Sequence, residues 1–365
     1  MKTSSRFDDI APYEFTESAI ILAARLGLKP DQILKLDLNE NLFGASPLAL
    51  QALANLSCAH FYSDADCSEL RNALSDFTGA PAETILIGNG ADELIDLTAN
   101  VMLDAGDSVI ICPPAFSMYS VCTSLHQGRI IEVPRLSDFQ LDMASISTVV
   151  EQEHPKMIYI TSPNNPDGCL INPKDIDTLL NLPILVVLDE AYIEFSEGGG
   201  TFGQQNSRIR EVIERKNLAV LRTFSKWAGL AGLRIGYGAF PDWLVPVLWK
   251  VKLPYNINAA AEAAALASLR DLDILAERIS IIQNERKRMI DALARLPYIL
   301  PYSSQANFLL CRIIGRSAAD LFQILLKKGI LIRYFGMPPL TEYIRISIGR
   351  PQDNDRLLQA LEEEA

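Results

Sequence analysis

The chain has very little histidine and no cysteine pair of the kind that holds a metal ion. Its 365 residues include 3 histidines, His60, His126 and His154, and none stands in an H-E-x-x-H or comparable spacing. The 6 cysteines contain no C-x-x-C pair, so we interpret them as reduced, mostly buried thiols. The sequence therefore predicts no metal site.

Positive charge and long apolar runs are also scarce. The 33 Lys and Arg residues against 45 Asp and Glu give a formal net charge of −12, which disfavours binding to nucleic acid or to an anionic membrane. No apolar stretch approaches the roughly 18 residues of a membrane span. The N-terminal sequence MKTSSRFDDI also lacks the apolar core of a signal peptide. We predict a cytoplasmic protein without nucleic-acid or membrane partners.

What the chain does have is length and apolar residues. It exceeds the roughly 250–300 residues at which one hydrophobic core stops growing, and 49% of it is apolar. Up to about Pro254, short β-branched runs alternate with amphipathic stretches, which predicts an α/β domain with a mainly parallel central sheet flanked by helices. The predicted strands are Ile85–Ile87, Ser108–Ile111, Arg129–Val133, Met157–Thr161, Ile184–Leu188, Leu218–Arg222 and Gly236–Phe240.

The pattern of predicted strands and helices changes after Pro254. An alanine-rich helix, Ala259–Leu269, and a long amphipathic helix, Asp273–Leu296, precede a few strand-like segments and a terminal helix. This pattern predicts a smaller α+β unit that also takes in the N-terminal segment. We therefore divide the chain into a large domain, residues 38–254, and a small discontinuous domain, residues 1–37 and 255–365. A cleft between two domains is a favoured place for a ligand.

The run I-L-V-V-L ends in Asp189, at the edge of the predicted sheet where α/β proteins bind ligands. A buried carboxylate there needs a cationic partner or several donors to stay ionised, and a protonated pyridinium nitrogen is one such partner. Tyr192, three residues later, can direct its phenol into the same space. Taken alone, an aspartate that caps the following turn is the simpler interpretation.

A second strand-like run is followed by Lys226, with the hydroxyls of Thr223 and Ser225 beside it and Arg234 eight residues later. A lysine that forms a Schiff base needs a partly desolvated pocket to keep some of its amine neutral. Hydroxyls and a guanidinium group supply donors for a phosphate. A solvated surface loop is the alternative, and this combination of residues argues against it.

Three further segments are compatible with ligand binding. A G-N-G turn precedes Ala91 and Asp92 at a helix start, where free N–H groups can bind an anion, although a tight structural turn explains the glycines equally well. Asn165 lies in the turn T-S-P-N-N-P-D-G, from which its amide could reach a ligand oxygen. Arg333 and Arg345 lie in strand patterns, where each is either solvated or binds a carboxylate.

Taken in this order, the segments resemble those of the fold-type-I pyridoxal-phosphate-dependent aminotransferases. The resemblance runs from I-A-P-Y and L-N-E-N near the start to R-I-S-I-G near the end, and the combination of D-x-A-Y, S-K and an arginine eight residues later carries it. P-P-A-F-S-M-Y, P-Y-N-I-N and the two C-terminal arginines are similar to the histidinol-phosphate branch. The resemblance implies the fold-type-I architecture, bound pyridoxal 5'-phosphate, and a homodimer with shared active sites.

The resemblance also implies a role for each residue. Lys226 would carry the cofactor and move protons, Asp189 would hold the pyridine nitrogen protonated, and Tyr192 would act with them in catalysis. Asn165 and Tyr192 would hydrogen-bond the ring hydroxyl oxygen, and Phe116 would stack on the ring. The cofactor phosphate would be bound by Ala91, Asp92, Thr223, Ser225, Arg234 and, across the dimer, Tyr62. The substrates would be held by Tyr13, Asn39, Arg333 and Arg345.

The implied reaction is transamination of L-histidinol phosphate with 2-oxoglutarate, giving imidazole-acetol phosphate and glutamate in ping-pong half-reactions on Lys226, as in histidine biosynthesis. This sequence departs from the family at Phe116, where tyrosine is usual, and at Tyr334 and Phe335, where many relatives carry an acidic residue. An aromatic or broad-specificity aminotransferase, a phosphothreonine-type decarboxylase and a cofactor-binding protein without turnover are the alternatives.

Overall fold

The computed structural model describes Phe7 and residues 17–364. Its strands, in chain order, are β1 (Leu34–Leu36), β2 (Ile85–Gly88), β3 (Ser108–Ile111), β4 (Arg129–Glu132), β5 (Met157–Thr161), β6 (Leu185–Asp189), β7 (Leu218–Thr223), β8 (Gly236–Ala239), β9 (Ile299–Pro301), β10 (Phe308–Ile313), β11 (Ile330–Tyr334) and β12 (Tyr343–Ser347). They form two separate sheets.

The larger sheet has seven strands in the order β2-β8-β7-β6-β5-β3-β4. Its pairs are parallel except those of β8, which runs antiparallel to both neighbours. All seven strands predicted for the large domain are present, with ends within one residue of those expected. The mainly parallel sheet is confirmed.

Both faces of this sheet are buried. In β6, Val186 and Leu188 pack into one apolar cluster, whereas Leu185 and Val187 pack into a second cluster on the opposite face. Successive side chains of a strand point to opposite faces, so a strand covered on both sides must be apolar at nearly every position. This requirement explains the run I-L-V-V-L in the sequence.

Helices pack against the two sheets and connect the strands. They are α1 (Ala19–Leu26), α2 (Pro47–Ala54), α3 (Ser68–Thr78), α4 (Ala91–Met102), α5 (Met118–Leu125), α6 (Met143–Glu153), α7 (Pro173–Leu179), α8 (Val245–Val251), α9 (Ala259–Leu269), α10 (Leu272–Leu293), α11 (Ala318–Lys327) and α12 (Pro351–Glu362). Several helices begin at a residue whose side chain accepts a hydrogen bond from a backbone N–H of the first turn, as Asn258 does for α9. Among the described residues no helix is long and apolar enough to cross a membrane.

The smaller sheet has the order β1-β11-β12-β10-β9. The N-terminal strand β1 pairs in parallel with β11, and the other pairs are antiparallel. Segments from both ends of the chain therefore lie in one sheet, as a small discontinuous domain requires. The boundaries of that division, residues 38–254 against residues 1–37 and 255–365, stay a prediction. The helix α10 ends three residues earlier than expected, ahead of the turn that contains Pro297.

The topology brings three strand ends together. β5, β6 and β7 are neighbours and run parallel, so Thr161, Asp189 and Thr223 lie at one edge of the sheet. Thr161 is directly opposite Asp189 in the register. In open α/β sheets the ligand site lies outside this edge.

Candidate active site

A cavity of about 150 Å³ lies at this edge. Its lining includes every predicted cofactor-binding residue except Tyr62. The lining residues are Ala91, Asp92, Phe116, Tyr119, Thr161, Asn165, Asp189, Ala191, Tyr192, Thr223, Ser225, Lys226, Ala231 and Arg234. Residues that are more than 140 positions apart in the sequence thus meet around one space.

Asp189 is the buried carboxylate of the cavity, with 4% of its surface exposed. Its Oδ1 accepts a hydrogen bond from the backbone N–H of Ala191 at 2.9 Å, so it does cap the following turn. Its Oδ2 accepts from the hydroxyl of Tyr119 at 2.7 Å. Burial raises the pKa of Asp189 to about 6, and the two hydrogen bonds oppose that shift. A cation entering the cavity would stabilise the ionised carboxylate further.

Lys226 places its amine in the same cavity. Nζ donates a hydrogen bond to the backbone oxygen of Leu38 at 2.8 Å. Burial lowers the pKa of the amine to about 8, and the positive charge of Arg345 acts in the same direction. Because a substantial fraction of the amine is neutral near that pH, Lys226 is suited to attack a carbonyl carbon.

The start of α4 and Arg234 lie together on the cavity lining, as a site for an anion would require. The Arg234 guanidinium pairs with the carboxylate of Asp92 at 2.9 Å, and both side chains are partly exposed. Gly90 has φ +80°, a backbone conformation that favours glycine, and a Cβ atom there would lie 2.6 Å from Arg234 Nη2 and displace the guanidinium. The first N–H groups of α4, from Ala91 onward, have no acceptor within the helix. Hydroxyl donors on the same lining are Thr223 and Ser225.

Arg345, in β12 of the smaller sheet, contacts the cavity lining through Asn165. Its Nη1 donates to Oδ1 of Asn165 at 2.5 Å, and its Nη2 donates to the backbone oxygen of Asp37 at 2.6 Å. Since the Asn165 carbonyl oxygen accepts from Arg345, the Asn165 NH₂ group is the part of the side chain that can donate to a ligand.

Tyr192 is held by Asn39. The Asn39 Nδ2 donates to the Tyr192 hydroxyl at 3.1 Å, while Asn39 Oδ1 accepts from Ser347 at 3.2 Å. Because the hydroxyl accepts from Asn39, its own proton can be directed into the cavity. Burial raises the pKa of Tyr192, so it stays protonated near neutral pH. The Asn39 amide, expected at the substrate, is thus engaged with Tyr192 and Ser347.

The other predicted substrate residues lie to one side of the cavity or outside the described region. Arg333 in β11 is opposite Arg345 in β12. Both guanidinium groups lie near the ring of Phe335, whose centroid is 5.9 Å from the Arg333 guanidinium carbon and 6.0 Å from that of Arg345. Tyr13 lies outside the described residues.

Tyr62 is separate from the cavity. It is 83% exposed and stacks on Tyr255 with ring centroids 4.6 Å apart. Together with Phe61 these rings line a groove on the surface. Within this chain, Tyr62 is not part of the cavity lining that contains Arg234 and the start of α4.

The family model for aminotransferase class I and II matches residues 31–361. The chain belongs to this family. A histidinol-phosphate aminotransferase from Roseiflexus castenholzii is 47% identical over 364 residues, covering 98% of this chain and 96% of that protein. A solved structure of histidinol-phosphate aminotransferase from Sinorhizobium meliloti in complex with pyridoxal-5'-phosphate has a TM-score of 0.88 at 27% identity, covering 100% and 98% of the two chains.

A third relative bears on the alternatives. The structure of L-threonine-O-3-phosphate decarboxylase from Porphyromonas gingivalis has a TM-score of 0.79 at 26% identity, covering 91% of this chain and 98% of that one. The expected fold-type-I architecture is confirmed by these neighbours, and the protein is an aminotransferase by family. A binding protein without turnover finds no support among relatives that are enzymes.

Four residues of the cavity lining were not predicted from the sequence: Tyr119, Thr161, Ala191 and Ala231. Tyr119 and Thr161 line the cavity, and their hydroxyl oxygens are 2.7 Å apart. A signal for Tyr119 was present, because it follows Phe116 by three residues and so lies on the same side of a helical turn. Thr161 ends the strand beside Asp189, which placed it at the same edge once the strand order was known.

Proposed function

We propose that this aminotransferase binds pyridoxal 5'-phosphate in the cavity and converts L-histidinol phosphate and 2-oxoglutarate into imidazole-acetol phosphate and glutamate, in two half-reactions on Lys226. One observation carries the proposal: a single cavity joins a buried carboxylate, a lysine with a lowered pKa and an anion-binding helix start. The names of the similar proteins support the substrate.

The donor set fits the cofactor at each of its polar groups. A phosphate is suited by the donors at one part of the lining, namely Arg234, the N–H groups at the start of α4 and the hydroxyls of Thr223 and Ser225. Because Gly90 has no side chain, the Arg234 guanidinium can approach its backbone closely. Asp189 suits a protonated ring nitrogen. When bound, the cofactor supplies an electron sink for the carbanion that transamination generates.

Each residue of the cavity would then have its own role in the reaction. Lys226 takes and returns the proton, since its lowered pKa keeps part of the amine neutral. The Asn165 NH₂ group and the Tyr192 hydroxyl would hold the ring hydroxyl oxygen and favour its ionised form. Phe116, on the cavity lining, would stack on the ring without the hydroxyl that tyrosine would add.

Arg345 and Arg333 would bind the anionic groups of the substrates. Arg345 suits the α-carboxylate of glutamate or 2-oxoglutarate, because a guanidinium group binds a carboxylate through two parallel hydrogen bonds. Arg333, on the neighbouring strand, would hold the phosphate of histidinol phosphate together with Tyr13. The ring of Phe335 contacts both guanidinium groups.

The proposed active enzyme is a homodimer in which Tyr62 reaches the phosphate in the site of the second copy. Its support is the exposure of Tyr62 and Phe61, 83% and 68%, beside a groove that a second copy could fill. Aromatic side chains are enriched in the buried centres of such interfaces. A cytoplasmic location likewise stays a proposal.

The decisive experiment compares amino donors. With 2-oxoglutarate as acceptor, L-histidinol phosphate should have the highest kcat/KM among itself, phenylalanine, tyrosine and phosphothreonine. The matched control is L-histidinol, which lacks the phosphate and should be poorer by about 100-fold or more, because Arg333 would be left unpaired. A better aromatic donor would overturn the substrate assignment, and release of CO₂ from phosphothreonine would identify the decarboxylase instead.

A further inference from the structure

We infer that Tyr119 is a positioning residue for Asp189: its hydroxyl fixes that carboxylate and keeps it ionised opposite the ring nitrogen of the cofactor, and Thr161 fixes the hydroxyl in turn. The inference rests on the proposed function, because it assigns a role within the same cavity. Neither Tyr119 nor Thr161 was among the residues expected from the sequence.

The hydrogen bonds around Tyr119 can run in only one direction. Its hydroxyl oxygen is 2.7 Å from Asp189 Oδ2 and 2.7 Å from Thr161 Oγ1. An ionised carboxylate only accepts, and a tyrosine has one hydroxyl proton, so that proton goes to Asp189. The Thr161 hydroxyl must then donate to the Tyr119 oxygen. The Thr161 and Tyr119 hydroxyl groups therefore both donate their hydrogen bonds in the direction of the carboxylate.

Packing holds the Tyr119 ring in place. The residue is 1% exposed, and its ring stacks on Tyr159 with centroids 4.9 Å apart and an angle of 5° between the planes. Phe116, on the cavity side, meets the same ring edge-on at 5.7 Å and 87°. A ring held between two aromatic walls directs its hydroxyl with little rotational freedom. Asp189 therefore has a fixed donor on one side and the Ala191 N–H on the other.

This arrangement has an electrostatic consequence. Burial is the largest influence on Asp189 and raises its pKa, and the Tyr119 hydrogen bond is the largest influence that opposes it. Without that donor the carboxylate would take up a proton more readily and would attract a cationic ring nitrogen less. A carboxylate has about four acceptor positions, so the two existing bonds still leave room for a ring N–H.

The test measures the affinity of the apoenzyme for pyridoxal phosphate and for its analogue in which a C–H group replaces the ring nitrogen. The ratio of the two dissociation constants reports what the ring nitrogen contributes. In Tyr119→Phe this ratio should fall about tenfold, the size expected for a lost hydrogen bond to a charged group. Affinity for the analogue should stay near that of the wild type, which also shows that the pocket is intact.

Two further variants sharpen the comparison. Tyr159→Phe is the matched control, because it removes the hydroxyl of the stacked neighbour, which donates to the backbone oxygen of Ile95 and not to Asp189. Its ratio should equal that of the wild type. Thr161→Val removes the outer donor and should lower the ratio less than Tyr119→Phe does. If Tyr119→Phe fails to fold, Thr161→Val still tests the hydrogen bonds that lead from Thr161 through Tyr119 to Asp189.

The outcomes separate this inference from the function on which it rests. Wild-type protein that does not bind pyridoxal phosphate would overturn both. Wild-type protein that prefers pyridoxal phosphate to the analogue, with an unchanged ratio in Tyr119→Phe, would overturn the role of Tyr119 alone. Equal weakening of both ligands in Tyr119→Phe would also overturn it, because the tyrosine would then only shape the pocket.

Discussion

Lys226 shows how one side chain is adapted by its surroundings. Its amine lies close enough to the Leu38 carbonyl to donate a hydrogen bond, and the guanidinium of Arg345 adds a second positive charge nearby. Both burial and that charge disfavour the ammonium form and lower the pKa to about 8. The reactive, neutral amine therefore becomes abundant at a lower pH than it does for an ordinary lysine.

We expect the rate of modification of Lys226 by acetic anhydride in the apoenzyme to rise with pH around a midpoint near 8. The reason is that only the neutral amine is nucleophilic, and its fraction grows as pH passes the pKa. Peptide mapping at a series of pH values measures this rate. In Arg345→Met the midpoint should move upward because a neighbouring positive charge is removed. A midpoint near 10.5 in both proteins would contradict the argument.

At the scale of elements, the cavity depends on a buried ion pair behind it. Arg222 in β7 is 0% exposed and pairs with Glu194, which is 1% exposed, at 2.6 Å. Glu194 lies in the short turn after Tyr192, and Arg222 directly precedes Thr223. The pair thus connects the strand end that carries Thr223 and Lys226 to the turn that carries Tyr192. Glu190, also buried, adds a second negative charge beside Arg222.

Arg222→Met should destabilise the protein by about 3–5 kcal/mol, because it leaves Glu194 and Glu190 buried without their cation. The pKa values of both carboxyls are already raised by burial, so the folded variant would hold protons that the unfolded chain has released. Its stability should therefore fall as pH rises, and the loss should be smaller at pH 5 than at pH 8. Urea unfolding followed by circular dichroism measures the difference.

The control for this variant is a surface pair of similar length. Arg270 and Glu69 are 2.8 Å apart and both are 67% exposed. Arg270→Met should change the free energy of unfolding little, because solvent screens such pairs. If Arg222→Met were as mild as Arg270→Met, or if its cost did not depend on pH, the buried pair would not have the role assigned to it.

The elements also show what a sequence can and cannot predict. The strands of the larger sheet were predictable because burial on both faces forces short apolar runs such as I-L-V-V-L. β1 was not predictable, because its sequence, L-K-L, is too short to indicate a strand. It forms a strand by pairing with β11, nearly 300 residues later in the chain. The positions of Asp189 and Lys226 followed from the strands that precede them. The bonds from Tyr119 to Asp189 and from Arg345 to Asn165 join residues 70 and 180 positions apart, so only the fold reveals them.

For the whole molecule, the net charge of −12 sets the background for its proposed ligands. Phosphate and carboxylate groups are repelled by such a surface at long range, so a few local cations must provide the attraction. Arg234, Arg333 and Arg345 are the cations proposed for this role, two of them on the smaller sheet and one beside α4. A further phosphate donor from a second copy would add to them, and Tyr62 is the exposed candidate.

The shared site can be tested by mixing two variants that damage different parts of it. Lys226→Ala should bind cofactor but not turn over, and Tyr62→Ala should be weakly active at limiting pyridoxal phosphate. In a mixed dimer, the site built around the intact Lys226 would receive its tyrosine from the Lys226→Ala subunit, so one of the two sites would be complete. Co-expressed and re-isolated mixed dimers should therefore recover about half of the wild-type activity, as two-fold symmetry predicts.

If Tyr62 served the site of its own chain, each site of the mixed dimer would lack one residue, and the mixture would be no more active than Tyr62→Ala alone. A chain that sediments as a monomer while retaining full transamination would contradict the shared site directly.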